Sequence, residues 1–466
     1  MIKLKNILFP YQKTAVEKLI KLKVGALFME QGTGKTITTL EIARIRLEKG
    51  KIEHIIWLCP CSVKNNLCKE IIKQCPKEML GKFIICGIET LSTSIRAMSY
   101  LMKIVANKKC FLVVDESLLI KNPRAYRTEH IKRIGELCPY RIILNGTPVS
   151  KNEADLYSQF YLLDWRILGY KSYWSFAANH IEYDDYGKIR RVLNKDYLTD
   201  KIAPYSVQVL KKDYLNLPDK HETTVYFSLS DEQKKHYYDV KMDFLSLEAL
   251  YEYDTSVIYR TFNALQQVSS GRKIISPANK TIRHEQMFTP SENPRIKILL
   301  DIIEDYIREE KAIIWCKFSH EIQDIGEILK KNGYKCSFFY GNFSQKKRQE
   351  SIKEFEQDNQ FLIANKTCAG FGLNLQFCHN AIYYNNDWNW STRAQSEDRI
   401  HRIGQENDVY IWNICANCTI DERILRCLNK KENMVDSFKK YLVDKNFANW
   451  LDGNEIEELN DKNRTE

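Results

Sequence analysis

Short apolar runs alternate along this chain with longer segments in which apolar residues recur at helical spacing. Continuous runs rich in Val, Ile and Phe are typical of strands that are buried on both faces of a parallel sheet. Strands that alternate with helices predict an α/β fold with two parallel sheets and crossover helices. Ten such runs form two groups of five, at residues 25–28, 55–58, 83–85, 111–114 and 142–144, and at residues 312–315, 337–340, 361–364, 381–384 and 409–414.

The pattern changes between the two groups of strands. From about residue 164 to residue 294 the chain is rich in Tyr, Lys and Leu at helical spacing, as in residues 231–250. We therefore predict two α/β lobes separated by a mostly helical insertion. The predicted boundaries are 1–228 for lobe 1 with a helical protrusion from about residue 165, 229–290 for the insertion, 291–440 for lobe 2, and 441–466 for a polar, acidic tail.

The composition is that of an ordinary globular protein. Of 466 residues, 44% are hydrophobic and 28% are charged, which argues against a disordered or fibrous chain. No apolar run approaches the ~18 residues that a membrane span needs. Lys3, Lys5 and Lys13 interrupt the N-terminal segment, unlike a secretion signal. The fourteen cysteines are scattered and are predicted to be reduced. We expect no membrane partner and a location in the cytoplasm, nucleoid or nucleus.

The charge balance favours a polyanionic partner. The net charge is +10, from 70 basic and 60 acidic side chains. The last sixteen residues contain six acids and two bases, so that segment carries −4 and the rest of the chain carries +14. Lys and Arg contacts with phosphates release counterions, which strengthens non-specific binding to nucleic acid. Charge alone does not identify the partner, since many basic proteins bind no nucleic acid.

The strongest local motif is Gly32-Thr33-Gly34-Lys35-Thr36, which lies between a predicted strand at 25–28 and a predicted helix at 37–48. In this context backbone N–H groups of the loop point at phosphates, Lys35 adds a positive charge, and the Thr36 hydroxyl would contact Mg²⁺. Met29 replaces the first glycine of the usual phosphate-loop pattern. The alternative is a glycine turn that only caps a helix. We predict that ATP binds here.

An acidic pair supplies the second half of a nucleotide site. Asp115 and Glu116 follow the apolar run at 111–114. Asp115 would bind the Mg²⁺ shell, and Glu116 would orient or deprotonate the attacking water. Two adjacent acids also occur at solvated strand ends, which is the alternative. Their position 79 residues after Thr36, with a predicted strand between, favours the catalytic interpretation.

These residues resemble a known family. Residues 115–122 are similar to the DEAHRIKN stretch of the Swi/Snf-related branch of superfamily-two helicases and translocases, and the resemblance extends from about residue 8 to residue 428. Pro10-Tyr11-Gln12 is similar to the family's adenine-reading element. Further similar stretches are Leu58–Ser62 followed by Asn66 (the first DNA-contacting strand end), Asn145–Pro148 (TGTP), Leu217–Lys220 (LPxK), Tyr340-Gly341 followed by Arg348 (DGS…R), Gly370–Leu375 (GLGLNL), Trp388-Asn389 followed by Gln395–Gln405 (WNP…QAxDRxHRIGQ) and Thr419–Glu422 (TIEE).

The segment 395–405 is the most specific of these matches. At helical spacing Gln395, Arg399 and Arg402 share one face, where guanidinium groups present forked donors to phosphate oxygens. The alternative is a helix whose arginines pair with the neighbouring acids, Glu397 and Asp398. The resemblance implies that Arg402 is an arginine finger, with Arg399 and Gln395 beside it.

Three departures from the family pattern affect the predicted site. Leu118 replaces the histidine that follows the acidic pair, so a histidine relay to the coupling element is missing. Gln208 and Val209 replace paired arginines. Lys366 replaces a threonine ahead of the second-lobe glycine loop, although Thr367 lies next to it. Lys366 would contact DNA phosphate as a charge rather than as a hydroxyl.

The resemblance implies a minimal motor core of two RecA-like lobes that uses ATP and Mg²⁺ to step along DNA, in duplex form and without sequence preference. It assigns DNA contacts to Ser62, Lys366, Thr367 and Asn374, and coupling to Gly146 and Thr147. One alternative is a strand-separating DNA or RNA helicase of the same superfamily. Another is a nucleic-acid clamp or sensor that binds nucleotide without a motor cycle; the presence of Lys35, Glu116 and Arg402 argues against it.

Overall fold

A computed structural model of the chain describes residues 3–146, 153–183, 189–214, 217–247, 255–275, 283–341, 343–366 and 373–431, together with residues 434, 438 and 451. The chain divides into two compact units, Met1–Asn216 and Leu217–Glu466. Each unit contains one six-stranded sheet and its own helices.

The first unit is built on a parallel sheet with the strand order β3-β2-β4-β5-β1-β8. A short antiparallel pair, β6-β7, lies apart from this sheet. The strands are β1 (Val24–Met29), β2 (His54–Cys59), β3 (Phe83–Gly87), β4 (Cys110–Val114), β5 (Tyr140–Asn145), β6 (Ile181–Tyr183), β7 (Ile189–Val192) and β8 (Ser206–Val209).

Helices connect and cover these strands. They are α1 (Pro10–Leu19), α2 (Lys35–Glu48), α3 (Lys64–Gln74), α4 (Lys77–Leu80), α5 (Thr90–Thr93), α6 (Ile95–Asn107), α7 (Tyr126–Leu137), α8 (Leu156–Leu168), α9 (Tyr173–His180), α10 (Lys195–Ile202) and α11 (Lys211–Tyr214). Short 3₁₀ turns lie at Cys61–Val63, Ser117–Ile120, Glu153–Asp155 and Ala203–Tyr205.

The central strands of the first sheet are apolar because both of their faces are covered. β1 and β4 are buried along their whole length. Successive side chains point to opposite faces, so Phe28 and Val114 pack in one core cluster and Leu27 and Val113 pack in another. Pairing of Phe28 with Asn145 brings the carboxyl ends of β1 and β5 to one edge, which is where ligands bind in open parallel sheets.

The second unit has a parallel sheet with the strand order β13-β14-β12-β15-β16-β9. The strands are β9 (Lys220–Phe227), β10 (Arg272–Ile274), β11 (His284–Gln286), β12 (Ala312–Cys316), β13 (Cys336–Phe339), β14 (Phe361–Asn365), β15 (Asn380–Tyr383) and β16 (Val409–Ala416). The helices are α12 (Asp231–Leu245), α13 (Thr255–Ser269), α14 (Pro294–Ile302), α15 (Ser319–Lys331), α16 (Gln345–Gln357), α17 (Trp390–Glu397) and α18 (Ile420–Lys430), and a π-helical turn spans Ile303–Ile307.

The α/β prediction with two RecA-like parallel sheets is confirmed, and all ten predicted strands are present. The predicted boundary at residue 228 is wrong, because β9 pairs with β16 along its whole length and so belongs to the second sheet. The helical insertion at 229–290 is not separate either. Its helices α12 and α13 bury Phe244 and Phe262 in the same core as β12 and β16.

The predicted tail at 441–466 lies outside the described residues except for Leu451. That residue is buried, and its carbonyl accepts a hydrogen bond from the hydroxyl of Tyr237 at 3.3 Å. Among the described helices, none combines the length and the apolar composition that a membrane span requires.

Candidate nucleotide-binding site

The glycine loop has the backbone that a phosphate site needs. Gly32 and Gly34 have φ angles of 84° and 89°, in the left-handed region that favours glycine. A Cβ atom on Gly34 would clash with Nε2 of Gln12, whose side chain is held by hydrogen bonds to Phe9 and Thr33, so any larger residue is disfavoured there. α2 begins at Lys35, and the first turn of a helix leaves backbone N–H groups without intrahelical acceptors. The loop therefore presents N–H donors where the sequence predicts phosphates.

Residues upstream of β1 hold the loop in this shape. The hydroxyl of Tyr11 and the amide of Gln12 both donate to the carbonyl of Thr33, at 3.0 and 2.9 Å. The hydroxyl of Thr33 donates to the carbonyl of Glu30 at 2.6 Å. The side-chain oxygen of Gln12 accepts from the backbone N–H of Phe9 at 2.9 Å, and the residue is buried. The structure thus gives Gln12 a bracing contact with the loop, and adenine reading by this residue stays a prediction.

Lys35 and Asp115 lie at the same edge of the sheet. The ammonium of Lys35 donates to the carbonyl of Met29 at 2.7 Å, at the end of β1. Asp115 follows β4, and burial raises the pKa of its carboxyl group to about 7, with the negative charge of Glu116 acting in the same direction and Lys35 opposing both. A carboxylate that is costly to ionise in the protein alone gains most from a bound cation.

Glu116 occupies an unusual backbone position. Its φ and ψ angles are 54° and 55°, and its N–H donates to a carboxylate oxygen of Asp115 at 3.0 Å. A left-handed conformation at a residue other than glycine costs on the order of 1–3 kcal/mol and persists only where the surroundings hold it. Such positions concentrate at functional sites, in agreement with the catalytic role predicted for Glu116.

The residues fit a magnesium ion that arrives with a nucleotide. Thr36, partly buried in the first turn of α2, offers a hydroxyl oxygen, and Asp115 offers a carboxylate whose pKa is raised by burial. Mg²⁺ prefers oxygen ligands and commonly binds through one or two carboxylates together with water and substrate phosphates. Among the described residues no group of three or more His, Cys, Asp or Glu side chains could hold a metal ion.

The predicted coupling element begins at this edge as well. The buried side chain of Asn145 accepts a hydrogen bond from the N–H of Gly146 at 2.7 Å, and within the described residues its amide nitrogen has no hydrogen-bond partner. Thr147, the second predicted coupling residue, lies outside the described residues. Gly146 is therefore placed beside the candidate nucleotide site, while coupling itself stays a prediction.

In the second unit, Gln395, Arg399 and Arg402 do not share a helical face, so that prediction is wrong. α17 ends at Glu397. The side-chain Nε of Arg399 donates to the carbonyl of Gln395 at 3.2 Å, the carbonyl that the backbone N–H of Arg399 would use in a continuing helix. The N–H of Arg399 bonds to Ser396 instead, and the chain turns.

The turn nevertheless brings both predicted arginines, Arg399 and Arg402, into contact with the same short segment, residues 373–374. The guanidinium of Arg399, which is buried, donates to the carbonyl of Leu373 at 3.4 Å. The guanidinium of Arg402, which is partly exposed, donates to the side-chain oxygen of Asn374 at 2.6 Å. Arg402 is the more accessible of the two, as a finger that contacts a ligand must be.

Lys366 does not present its charge to solvent. It is 2% exposed, and its ammonium donates to the carbonyl of Asn385 at 2.8 Å. Burial lowers the pKa of this amine to about 7, with Asp387 opposing the shift. The burial of Lys366 argues against its predicted contact with DNA phosphate, and that contact stays a prediction. Thr367 and the side chain of Ser62 lie outside the described residues, so their predicted DNA contacts stay predictions.

Glu30 is a residue of this site that the sequence did not explain. Its carboxylate accepts a hydrogen bond from the backbone N–H of Lys211 at 2.6 Å. Its own N–H donates to the carbonyl of Val209 at 3.0 Å. The sequence did contain a signal for this contact. A negative charge beside a phosphate loop opposes phosphate binding, so an acid at this position is expected to have another role.

Comparison with known proteins identifies the family. The family model of the SNF2-related domain matches residues 11–287, and that of the helicase conserved C-terminal domain matches residues 294–404. The uncharacterized ATP-dependent helicase MG018 of Mycoplasma genitalium is 28% identical over 97% of this chain and 44% of its own length. The DNA excision repair protein ERCC-6 of Mus musculus is 26% identical over 90% of this chain and 32% of its own length.

Other similar proteins have closer lengths. The uncharacterized ATP-dependent helicase YqhH of Bacillus subtilis is 24% identical over 92% of this chain and 78% of its own length. The Sulfolobus solfataricus SWI2/SNF2 ATPase core in complex with dsDNA is 26% identical, and the match covers 96% of this chain and 95% of that chain with a TM-score of 0.42. The chain spans less than half the length of MG018 and ERCC-6. Because the SNF2-related model matches more than half of the chain, this protein belongs to the SNF2-related family.

Proposed function

We propose that this chain hydrolyses ATP and uses the energy to move along DNA. The observation that carries the proposal is the convergence of two motifs at one edge of the first sheet. The phosphate loop follows β1, and the acidic pair Asp115-Glu116 follows β4. A phosphate cradle and a water-activating acid at the carboxyl ends of two strands of one sheet, with only β5 between them, are the parts that a nucleoside-triphosphate hydrolase needs.

Each residue at this edge has a defined task. The N–H groups of the loop and the ammonium of Lys35 bind the phosphates and stabilise negative charge that develops during transfer. Thr36 and Asp115 would hold Mg²⁺, which neutralises phosphate charge when it is bound. Glu116 orients or deprotonates the attacking water. Arg402, assigned by the family resemblance, would stabilise the transition state, and turnover would then depend on both units.

Two lines support DNA as the track. Relatives of this chain are named as a DNA excision repair protein and, in Oryza sativa, as a probable chromatin-remodeling complex ATPase chain. The charge of +14 outside the last sixteen residues favours contacts with phosphates, which are independent of base sequence. We infer binding to duplex DNA without sequence preference.

A second candidate function is strand separation. It is favoured by the names of MG018 and YqhH, both of which are called ATP-dependent helicases. A translocase and a strand-separating helicase share the nucleotide site and differ in the polymer that stimulates hydrolysis. The stimulating polymer therefore discriminates between them.

The test is ATP hydrolysis measured in parallel with duplex DNA, single-stranded DNA, RNA and no polymer. We expect duplex DNA to stimulate at least as well as single strands. Lys35→Ala should abolish hydrolysis and leave the melting temperature nearly unchanged. Lys49→Ala, which removes an exposed lysine at the other end of α2, is the matched control and should retain activity. Wild-type turnover in Lys35→Ala would refute the site, and stimulation by single strands alone would favour the helicase.

A further inference from the structure

A buried hydrogen bond links the acidic pair to a helix that the sequence did not connect with it. Ser117 directly follows Glu116 and begins the 3₁₀ turn Ser117–Ile120. Its hydroxyl donates to the side-chain oxygen of Gln159, on α8, at 2.6 Å. Both residues are 0% exposed. A polar pair in this position is enclosed on all sides, so neither group can exchange its partner for water.

The contact continues into a second link between the same two segments. The side-chain nitrogen of Gln159 donates to the carbonyl of Asp155 at 2.9 Å, which fixes the orientation of the amide. The ammonium of Lys121 lies 3.6 Å from the carboxylate of Asp155. Residues 117 and 121 thus contact residues 159 and 155, so the segment after Glu116 is joined both to α8 and to Asp155, which directly precedes α8.

This network stands where the family pattern has a different one. In the family's DEAHRIKN stretch the acidic pair is followed by an alanine and then a histidine. The corresponding residues here are Ser117 and Leu118. Leucine neither donates nor accepts a hydrogen bond. The hydroxyl of Ser117 is one residue closer to Glu116, and it is the group that makes the buried contact.

We propose that Ser117 and Gln159 are positioning residues that hold Glu116 in place for ATP hydrolysis, a role that rests on the proposed function. Glu116 is in the left-handed region, and its carboxylate moves if the residue relaxes to an ordinary conformation. Relaxation requires Ser117 to shift, and the bond to Gln159 opposes that shift. The network therefore acts on the hydrolytic step and leaves the phosphate-binding residues untouched.

The test compares Ser117→Ala, Gln159→Met and the double variant with the wild-type chain. Each substitution nearly keeps the packing volume and removes one partner of the Ser117–Gln159 bond, and Gln159→Met also removes the donor to Asp155. Ser158→Ala is the matched control, because Ser158 is equally buried on α8 and its hydroxyl has no hydrogen-bond partner within the described residues. The measurements are kcat and KM for ATP with and without duplex DNA, and the melting temperature.

We expect both single variants to lose kcat by about 10-fold or more, with KM within about 2-fold of wild type. The double variant should lose no more than Gln159→Met alone, because that substitution already removes the bond to Ser117 together with the bond from Gln159 to Asp155. Ser158→Ala should keep wild-type kcat. Unchanged kcat in the two single variants, or equal losses in Ser158→Ala, would overturn the inference. A wild-type chain without ATP hydrolysis would instead refute the proposed function.

Discussion

The carboxylate of Glu30 accepts a hydrogen bond from the backbone N–H of Lys211 at 2.6 Å, and this contact ties the phosphate loop to the segment after β8. A second contact supports it, since the rings of Tyr11 and Tyr214 lie 5.1 Å apart between centroids. Residues 209–214 are the last described part of the first unit. The loop that would bind ATP is therefore anchored to the stretch of chain that leads out of its unit.

Two substitutions at Glu30 should distinguish the effect of its hydrogen bond to Lys211 from the effect of its negative charge. Glu30→Ala removes the acceptor and should raise KM for ATP by about 10-fold, as expected for loss of a hydrogen bond to a charged group. Glu30→Gln keeps an acceptor and removes a negative charge near the phosphates, so its KM should equal or fall below the wild-type value. Steady-state kinetics measures both. A lower KM in Glu30→Ala would show that the charge matters more than the anchor.

Asp115 should make stability depend on pH. Burial raises the pKa of this carboxyl group to about 7 in the folded chain, above the ordinary value near 4 of an unfolded chain. Between these values the folded state holds the proton more tightly, so Asp115 lowers stability as the pH rises, and the full loss is present above pH ~7. Without divalent cations, Asp115→Asn should melt higher than wild type at pH 8, and by a smaller margin at pH 5.

Magnesium provides the control for this prediction. The ion favours the ionised carboxylate. Adding Mg²⁺ with nucleotide at pH 8 should therefore raise the wild-type melting temperature and reduce its difference from that of Asp115→Asn. Asp115→Asn should respond less. An equal difference in melting temperature between Asp115→Asn and wild type at pH 5 and pH 8, measured without divalent cations, would contradict the raised pKa of Asp115.

The apolar pattern predicted the centre of both sheets because central parallel strands are covered on both faces. It did not predict the edge strands β8 and β9. Most of β9 is exposed, and its Lys-His-Glu-Thr-Thr sequence lacks the apolar run that marks a buried strand. The boundary error at residue 228 has the same origin, since only the pairing of β9 with β16 shows which sheet the segment joins.

The nucleotide motifs were readable because their chemistry is local. Gly34, Lys35 and Asp115 each follow a strand and need no distant partner to be recognised. The end of α17 could not be predicted from the sequence, because there the side chain of Arg399 donates a hydrogen bond to the carbonyl of Gln395 in place of the backbone N–H. The burial of Lys366 also depends on tertiary structure, through the carbonyl of Asn385.

Lys366→Met tests that burial. Methionine retains the apolar stem, and a lysine that contacts no phosphate contributes nothing to the salt dependence of DNA binding. Duplex affinity measured from 50 to 200 mM salt should therefore give the wild-type slope of log Kd against log salt. A slope reduced by about one would show instead that Lys366 reaches a phosphate.

Arg402→Ala should lower turnover and spare nucleotide binding. A cation that acts in the transition state changes kcat, and loss of an arginine finger costs on the order of 10³-fold or more in turnover. KM for ATP should stay within a few-fold of wild type. The matched control is Arg426→Ala. Arg426 is a partly exposed arginine of the same unit, and its guanidinium pairs with Glu422. Weaker ATP binding with unchanged kcat would mark Arg402 as a binding residue only.

The most direct test of the motor assignment is displacement of a third strand from fully duplex DNA. The reaction has no free single strand to enter, so only movement along the duplex releases the third strand. We predict ATP-dependent release by the wild-type chain, no release by Glu116→Gln, and little opening of a forked duplex in a parallel reaction. Absence of release together with efficient opening of the fork would contradict translocation on duplex DNA and identify a strand-separating helicase.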